Sequence, residues 1–205
     1  MHVDVLQDKT YITTLQVTDF PDNSLGNSFL FLVKVYTKNA IEGVSSEVSD
    51  LIILAGVPDM PTSVPTRRDS EAGEFAIAVD LAEVTGVNGA VLTSYHVEID
   101  DGVGGAYSSI KGSLADDLSL IAVKDTGIES GRQYRVRYRV RNIVGFSDYS
   151  EPGYILAASK PFSPEATQVE FVANQVRIHW AMPYNAGSHI TEAQIEILDV
   201  GGIDF

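Results

Sequence analysis

The sequence predicts an all-β chain built from repeated two-sheet sandwiches, and three observations predict it. Apolar residues alternate with polar ones in short runs, clusters of Gly, Pro, Asn and Asp separate the runs, and one block of the pattern recurs about 102 residues later. Helical periodicity is scarce, whereas alternation puts every second side chain on one face of a sheet.

The elements follow in order. "MHVDVLQDKTYITTLQV" reads as strand from its first residues, which predicts that the chain begins inside a longer protein. "FLFLVKVYTKN" (29–39), "FAIAVDL" (75–81), "SYHVEID" (94–100), "YRVRYRVRN" (134–142), "VRIHW" (176–180) and "AQIEIL" (193–198) all alternate. Turn signals "TGVNGA", "DDGVGG" and "PYNAG" lie between them. "GVPDMP" and "SKPFSP" read as linkers, in which proline stiffens the joint and discourages extra edge pairing.

The recurrence is specific. "NAIEGVSSEVSDLIILAGVPDMP" matches "NIVGFSDYSEPGYILAASKPFSP", pairing Asn39 with Asn142, Gly43 with Gly145, Ile53 with Ile155 and Pro61 with Pro164. A second pair relates "LTSYHVEID" (92–100) to "ITEAQIEIL" (190–198). An interval near 100 residues is the size of one sandwich domain.

On these residues the chain resembles tandem fibronectin type III domains, over nearly its whole length. "WAMPYNAGSHITEAQIEI" is similar to that family's strand B to strand C passage. The resemblance makes Trp180 the core tryptophan and turns Ile190, Ala193 and Ile195 inward. Ile128 and Tyr134 have the six-residue spacing of the tyrosine corner, where a phenol bonds back to the backbone and contributes roughly 1 kcal/mol. Leu81 or Val79 stands for the tryptophan in the middle repeat, and Phe31 for the corner tyrosine in the first. The implied division is residues 1–56 as the later strands (C′, E, F, G) of one repeat, 57–158 as a complete domain, and 159–205 as the early strands (A, B, C) of the next. An extracellular or cell-surface location follows from the family alone.

Composition excludes several function classes. The net charge is -14 and the pI about 4.5, against the basic field that phosphate neutralisation needs, so no nucleic-acid partner is expected. No run reaches the ~20 apolar residues of a membrane span, so no membrane insertion is expected in this segment. Without cysteine there is no disulfide, thiolate metal site or cysteine nucleophile. No nucleophile elbow, phosphate loop or dinucleotide fingerprint occurs, and no catalytic, cofactor-binding or metal-ligating residue is assigned. His2, His96, His179 and His189 lack metal-ligand spacing and read as exposed strand and loop residues; Asp100, Asp101, Asp116 and Asp117 read as solvated loop acids.

One motif stands out. Arg135, Arg137, Arg139 and Arg141 occupy alternate positions of a strand whose Tyr134, Val136, Tyr138 and Val140 take the core side. The neighbouring strand, "SYHVEID", offers His96, Glu98 and Asp100 on the same outward face, and such cross-strand pairs contribute about 0.2–1 kcal/mol each. "FSDYS" (146–150) is similar to the aromatic-Ser-x-aromatic-Ser motif of cytokine receptor domains, with Phe146 and Tyr149 in place of tryptophans. The resemblance implies cation–π stacking between these rings and the arginines. The six residues Arg135, Arg137, Arg139, Arg141, Phe146 and Tyr149 form the candidate protein-contact face, although structural pairing is the favoured reading. The expected role is a non-catalytic structural or adhesive module, with an accessory domain of a larger enzyme or receptor as the alternative. Its partner would be another protein or a second copy. A half-domain strands an apolar face, so the trailing half of one chain is expected to complete the leading half of another as a swapped dimer or head-to-tail fibre. Glu192 and Glu196 would then lie across from Lys34 and Lys38.

Overall fold

The structure is a computed structural model, and it describes residues 29–31, 34–38, 43–48 and 52–196. The described strands are β1 (Phe29–Phe31), β2 (Tyr36–Lys38), β3 (Gly43–Ser45), β4 (Ile52–Leu54), β5 (Thr66–Arg67), β6 (Ile77–Asp80), β7 (Leu92–Ile99), β8 (Ser108–Lys111), β9 (Ile121–Lys124), β10 (Gln133–Asn142), β11 (Gly153–Leu156), β12 (Gln168–Val172) and β13 (Gln175–His179). No helix occurs among the described residues.

Seven strands between residues 66 and 156 form two sheets, one ordered β5-β6-β9 and the other β11-β10-β7-β8, all antiparallel. This is the strand order that the fibronectin type III resemblance implies, with strands A, B and E on one side and G, F, C and C′ on the other. Alternation builds the space between them. Along β10 the odd side chains reach the outer face, while Tyr134, Val136, Tyr138 and Val140 are at most 2% exposed. Ile77 and Val79 of β6, and Tyr95, Val97 and Ile99 of β7, join them in one cluster. Each such side chain contributes about 1.5–3 kcal/mol on burial. The buried phenols are satisfied: Val84 N–H donates to Tyr95 Oη (3.1 Å), and Tyr138 Oη–H donates to the Ala82 carbonyl (3.2 Å).

Two polar devices hold the sandwich shut. Glu129 N–H donates to the hydroxyl of buried Tyr134 at 2.9 Å, and Ile128 packs into the core beside it. Tyr134→Phe removes this one bond without opening a cavity. It is expected to cost about 1 kcal/mol, a fall of roughly 5 °C in melting temperature by calorimetry. Across the sheets, the Arg67 guanidinium of β5 donates to the carbonyls of Leu156 (2.5 Å) and Ala158 (2.6 Å) at the end of β11.

Hairpins flank the sandwich. Before it, β1 pairs with β4 and β2 with β3; after it, β12 pairs with β13. Phe31 faces Ile52 as Tyr134 faces Ile155, and Lys38 faces Gly43 as Arg141 faces Phe146. In strand register the counterpart of Ile155 is therefore Ile52 rather than Ile53, and that of Phe146 is Gly43. Letter matching slides freely across loops, whereas ladder pairing fixes the phase. The expected strands over residues 1–28 and the match at Asn39 lie outside the described residues.

The trailing segment is open on its apolar face, as expected of a half-domain, and lacks one expected strand. Trp180 is not enclosed: it is 38% exposed, and Val169, Phe171 and Val176 are exposed as well. The β12–β13 hairpin is a sheet of two strands, with no opposing sheet among the described residues to cover the ring. Residues 190–196 form no strand, and Ile195 is exposed. A strand needs a hydrogen-bonding neighbour, and this segment has none to lie against among the described residues.

Candidate functional site

The outward face of β10 carries an interleaved stack. In spatial order it runs Arg135, Tyr107, Arg137, Tyr149, Arg139, Phe146, Arg141. The Arg137 guanidinium carbon lies 3.9 Å from the Tyr107 ring centre and 4.0 Å from that of Tyr149. Arg139 lies 4.5 Å from Tyr149 and 4.0 Å from Phe146. The terminal members are looser, with Arg135 at 5.3 Å from Tyr107 and Arg141 at 5.6 Å from Phe146. Strand geometry explains the fit. Two residues of antiparallel strand rise about 6.8 Å, close to the thickness of one ring with a van der Waals gap on each side.

Two serines place the rings. Val140 N–H donates to Ser147 Oγ (3.1 Å), and Ser147 N–H returns to the Val140 carbonyl (2.9 Å). Three residues on, Tyr138 N–H donates to Ser150 Oγ (3.2 Å), and Ser150 N–H to the Tyr138 carbonyl (2.8 Å). Each hydroxyl takes the place of a strand carbonyl and passes its own proton on, to the carbonyls of Asp148 and Glu151. The spacing that clips Ser147 and Ser150 thus turns Phe146 and Tyr149 onto the arginines. Ser46 makes the same clip in the preceding segment: Val35 N–H donates to its Oγ (3.1 Å), which donates to the Glu47 carbonyl (2.6 Å).

Tyr107 is the member that sequence reading missed. Ile99 pairs with Ser108 and Glu98 with Ser109, so continuing the hairpin puts Tyr107 across from Asp100, on the ladder side. That parity was available once the β7–β8 turn was counted.

The charges are met within the same face. Arg135 Nε donates to Asp100 Oδ2 (2.8 Å), while Arg135 N–H and Gly102 N–H donate to Oδ1. Arg137 donates twice to Glu98 Oε2 (3.0 and 2.7 Å), and Tyr149 Oη–H donates to Glu98 Oε1 at 2.6 Å. Arg141 lies 3.6 Å from Asp116. Arg139 has no carboxylate within 4 Å among the described residues; its Nε donates to His96 Nδ1 (3.2 Å), which leaves the imidazole proton on Nε2, beside Ser109 Oγ (3.0 Å).

Two sequence expectations are corrected here. His96 is 5% exposed because the rings of Phe146 and Tyr149 cover it. The Asp100 carboxylate is 1% exposed because Arg135 and two backbone N–H groups close over it. His179 remains at the surface near Glu170. No group of three His, Cys, Asp or Glu among the described residues is placed to hold a metal ion, and no helix there is long and apolar enough to cross a membrane.

The ladder shifts the groups beneath it. Burial, then the Arg139 charge, holds His96 below the ordinary histidine range. Burial pushes the Glu98 carboxyl up, but the Tyr149 hydroxyl and Arg137 together outweigh it and leave it below its usual range. Burial, then the bond to Glu98, pushes Tyr149 up to about 12. The signs set the pH dependence. Lowered His96 contributes stability above the free imidazole range and loses it as pH falls; lowered Glu98 contributes above the free carboxylate range and loses it as pH falls below that range. Tyr149 contributes fully below pH ~10 and loses that contribution as pH rises towards 12. Acid unfolding is expected to begin below pH ~6.5 and steepen below ~4.5. A 295-nm titration should show one phenol with its midpoint near 12 that vanishes in Tyr149→Phe.

No family model matches the chain. Among solved structures it is similar to a crystal structure of a run of titin domains, at 17% identity and a TM-score of 0.48, covering 70% of this chain and 42% of that one. It is similar to the chicken CNTN1 FN1-FN3 domains at 15% identity and a TM-score of 0.43, covering 77% of this chain and 53% of that one. The sixth fibronectin type III domain of human fibronectin type III domain containing protein 3 matches at 23% identity and a TM-score of 0.41, covering 53% of this chain and 95% of that domain. The chain thus spans about half or less of the two multidomain structures.

Proposed function

We propose that the chain is a non-catalytic segment of a tandem fibronectin type III array, acting as a structural spacer or protein-binding module. Its division is the one set out above: a complete domain over 57–158 between the later strands of one repeat and the early strands of the next. One observation supports this most. The densest cluster of chemically capable side chains is spent on its own sheet: each guanidinium is stacked on a ring, and those of Arg135, Arg137 and Arg141 face acids of the same domain. The test is charge reversal at Arg137 and Arg139. Loss of melting temperature supports the architectural role, whereas unchanged melting with loss of a captured partner protein points to a docking face.

A second reading has one observation in its favour. Arg139 lacks an acid among the described residues while Arg135, Arg137 and Arg141 stay roughly a third to a half exposed, so the face could also receive an acidic group of a partner. For self-association, the exposed Val169, Phe171, Val176 and Trp180 supply the apolar face that a second copy would cover. Light scattering over a concentration series checks this, and a compact monomer at every concentration rejects it.

A further inference from the structure

The linkers "GVPDMP" and "SKPFSP" are both hydrogen-bonded to the turn that precedes strand C of the repeat they enter. At the first joint Gly56 N–H donates to the Asn88 carbonyl (2.8 Å) and Asp59 N–H to that of Gly86 (2.8 Å). At the second, Ser159 N–H donates to the Ala186 carbonyl (2.9 Å) and Phe162 N–H to that of Tyr184 (3.1 Å). The turns share one backbone: φ is 48° at both Asn88 and Ala186, and 88° at both Gly89 and Gly187. Two successive positive φ values mark a type I′ turn, which asparagine tolerates and alanine adopts only at a cost.

Different side chains fill the same frame. At the first joint Asn88 Nδ2 donates to the Val57 carbonyl (2.8 Å) and to Asp59 Oδ1 (2.9 Å), and a Cβ on Gly86 would overlap the Asp59 carboxylate. At the second, Phe162 and Tyr184 hold the positions of Asp59 and Gly86, with ring centres 5.6 Å apart. An acid beside a glycine has become a pair of rings, yet the backbone bonds persist.

The second joint is also fastened to the repeat it leaves. Glu74 N–H donates to Ser159 Oγ (3.1 Å), and Tyr184 Oη–H donates to Glu74 Oε2 (2.9 Å), which also accepts from Ser130 (3.3 Å). Ala186 is 0% exposed, and it alone is buried among residues 159–196. Among residues 159–196, full burial occurs only where the segment meets its predecessor.

We propose that the end of each repeat formed by Glu74, Ser130, Gly131 and Ala157 is a docking surface for the type I′ turn of a following repeat of the same kind. The joints are then fixed and alike, and successive repeats stack with one constant rotation as a stiff rod. This rests on the reading of the chain as a serial spacer. Amide hydrogen exchange on the full chain tests it. Ser159 and Phe162 should be protected at least ~100-fold over open chain, as should Gly56 and Asp59. In Gly187→Val, where a Cβ would lie 2.6 Å from the Ala157 carbonyl oxygen and 2.8 Å from Ser130 Oγ, protection at Ser159 and Phe162 should fall at least ~10-fold. Gly56, Asp59 and the amides of the 66–156 sandwich should be unchanged. Open-chain exchange of Ser159 and Phe162 in the unaltered protein, or indifference to Gly187→Val, overturns the proposal. Failure of the spacer reading would show instead in the Arg137 and Arg139 variants, whose changes lie on another face.

Discussion

Arg137→Glu should destabilise the sandwich by about 3 kcal/mol, lowering its melting temperature by on the order of 15 °C. Three losses combine. The cation leaves two rings that it touches at 3.9 and 4.0 Å, each contact contributing about 0.5–1 kcal/mol. Glu98, whose side chain is 15% exposed, loses both bonds from Arg137 and keeps only Tyr149. The new carboxylate then lies directly across from it, because β10 and β7 pair Arg137 with Glu98. Arg139→Glu faces His96 instead, so its loss should be smaller. Calorimetry on both variants gives the order, and equal melting temperatures for parent and Arg137→Glu would leave the ladder with no architectural role.

The second large effect is expected at Asn142, also by about 3 kcal/mol on substitution with alanine. This side chain is 1% exposed and bonds on every side. Its Nδ2 donates to the carbonyls of Gly56 (2.7 Å) and Val87 (3.2 Å), and its Oδ1 accepts from Val144 (2.9 Å) and Gly145 (3.1 Å). Alanine leaves polar backbone groups unmet in a buried setting, each costing about 1–3 kcal/mol before water enters. Urea titration of Asn142→Ala should show a lower midpoint with unchanged slope. Asn142→Asp separates the two halves of the argument, since it keeps the acceptor and loses the donor to the linker.

The fold was legible in the sequence where one periodicity ruled. Alternation along 134–142 and 94–100 sufficed to predict two strands, their inward faces and the meeting of arginines with Glu98 and Asp100. What escaped was anything needing a count across a turn or knowledge of cover. Tyr107 joins the stack by hairpin parity, and His96 is buried by rings fifty or more residues away in sequence. Trp180 marks the same limit: its spacing fits a core position, but burial requires a second sheet over it, which a half-domain does not supply. The clips at Ser147 and Ser150 could have been suspected from their three-residue spacing. Ser46 could not, because its aromatic neighbours are missing.

The Arg67 fastener has a mechanical consequence. In the tandem array proposed above, tension would enter the sandwich near β5 and leave near β11. One guanidinium on β5 donates to two carbonyls at the end of β11, so the two bonds would be loaded together. Bonds loaded together resist rupture better than bonds opened in succession, and these two lie where such a force would arrive.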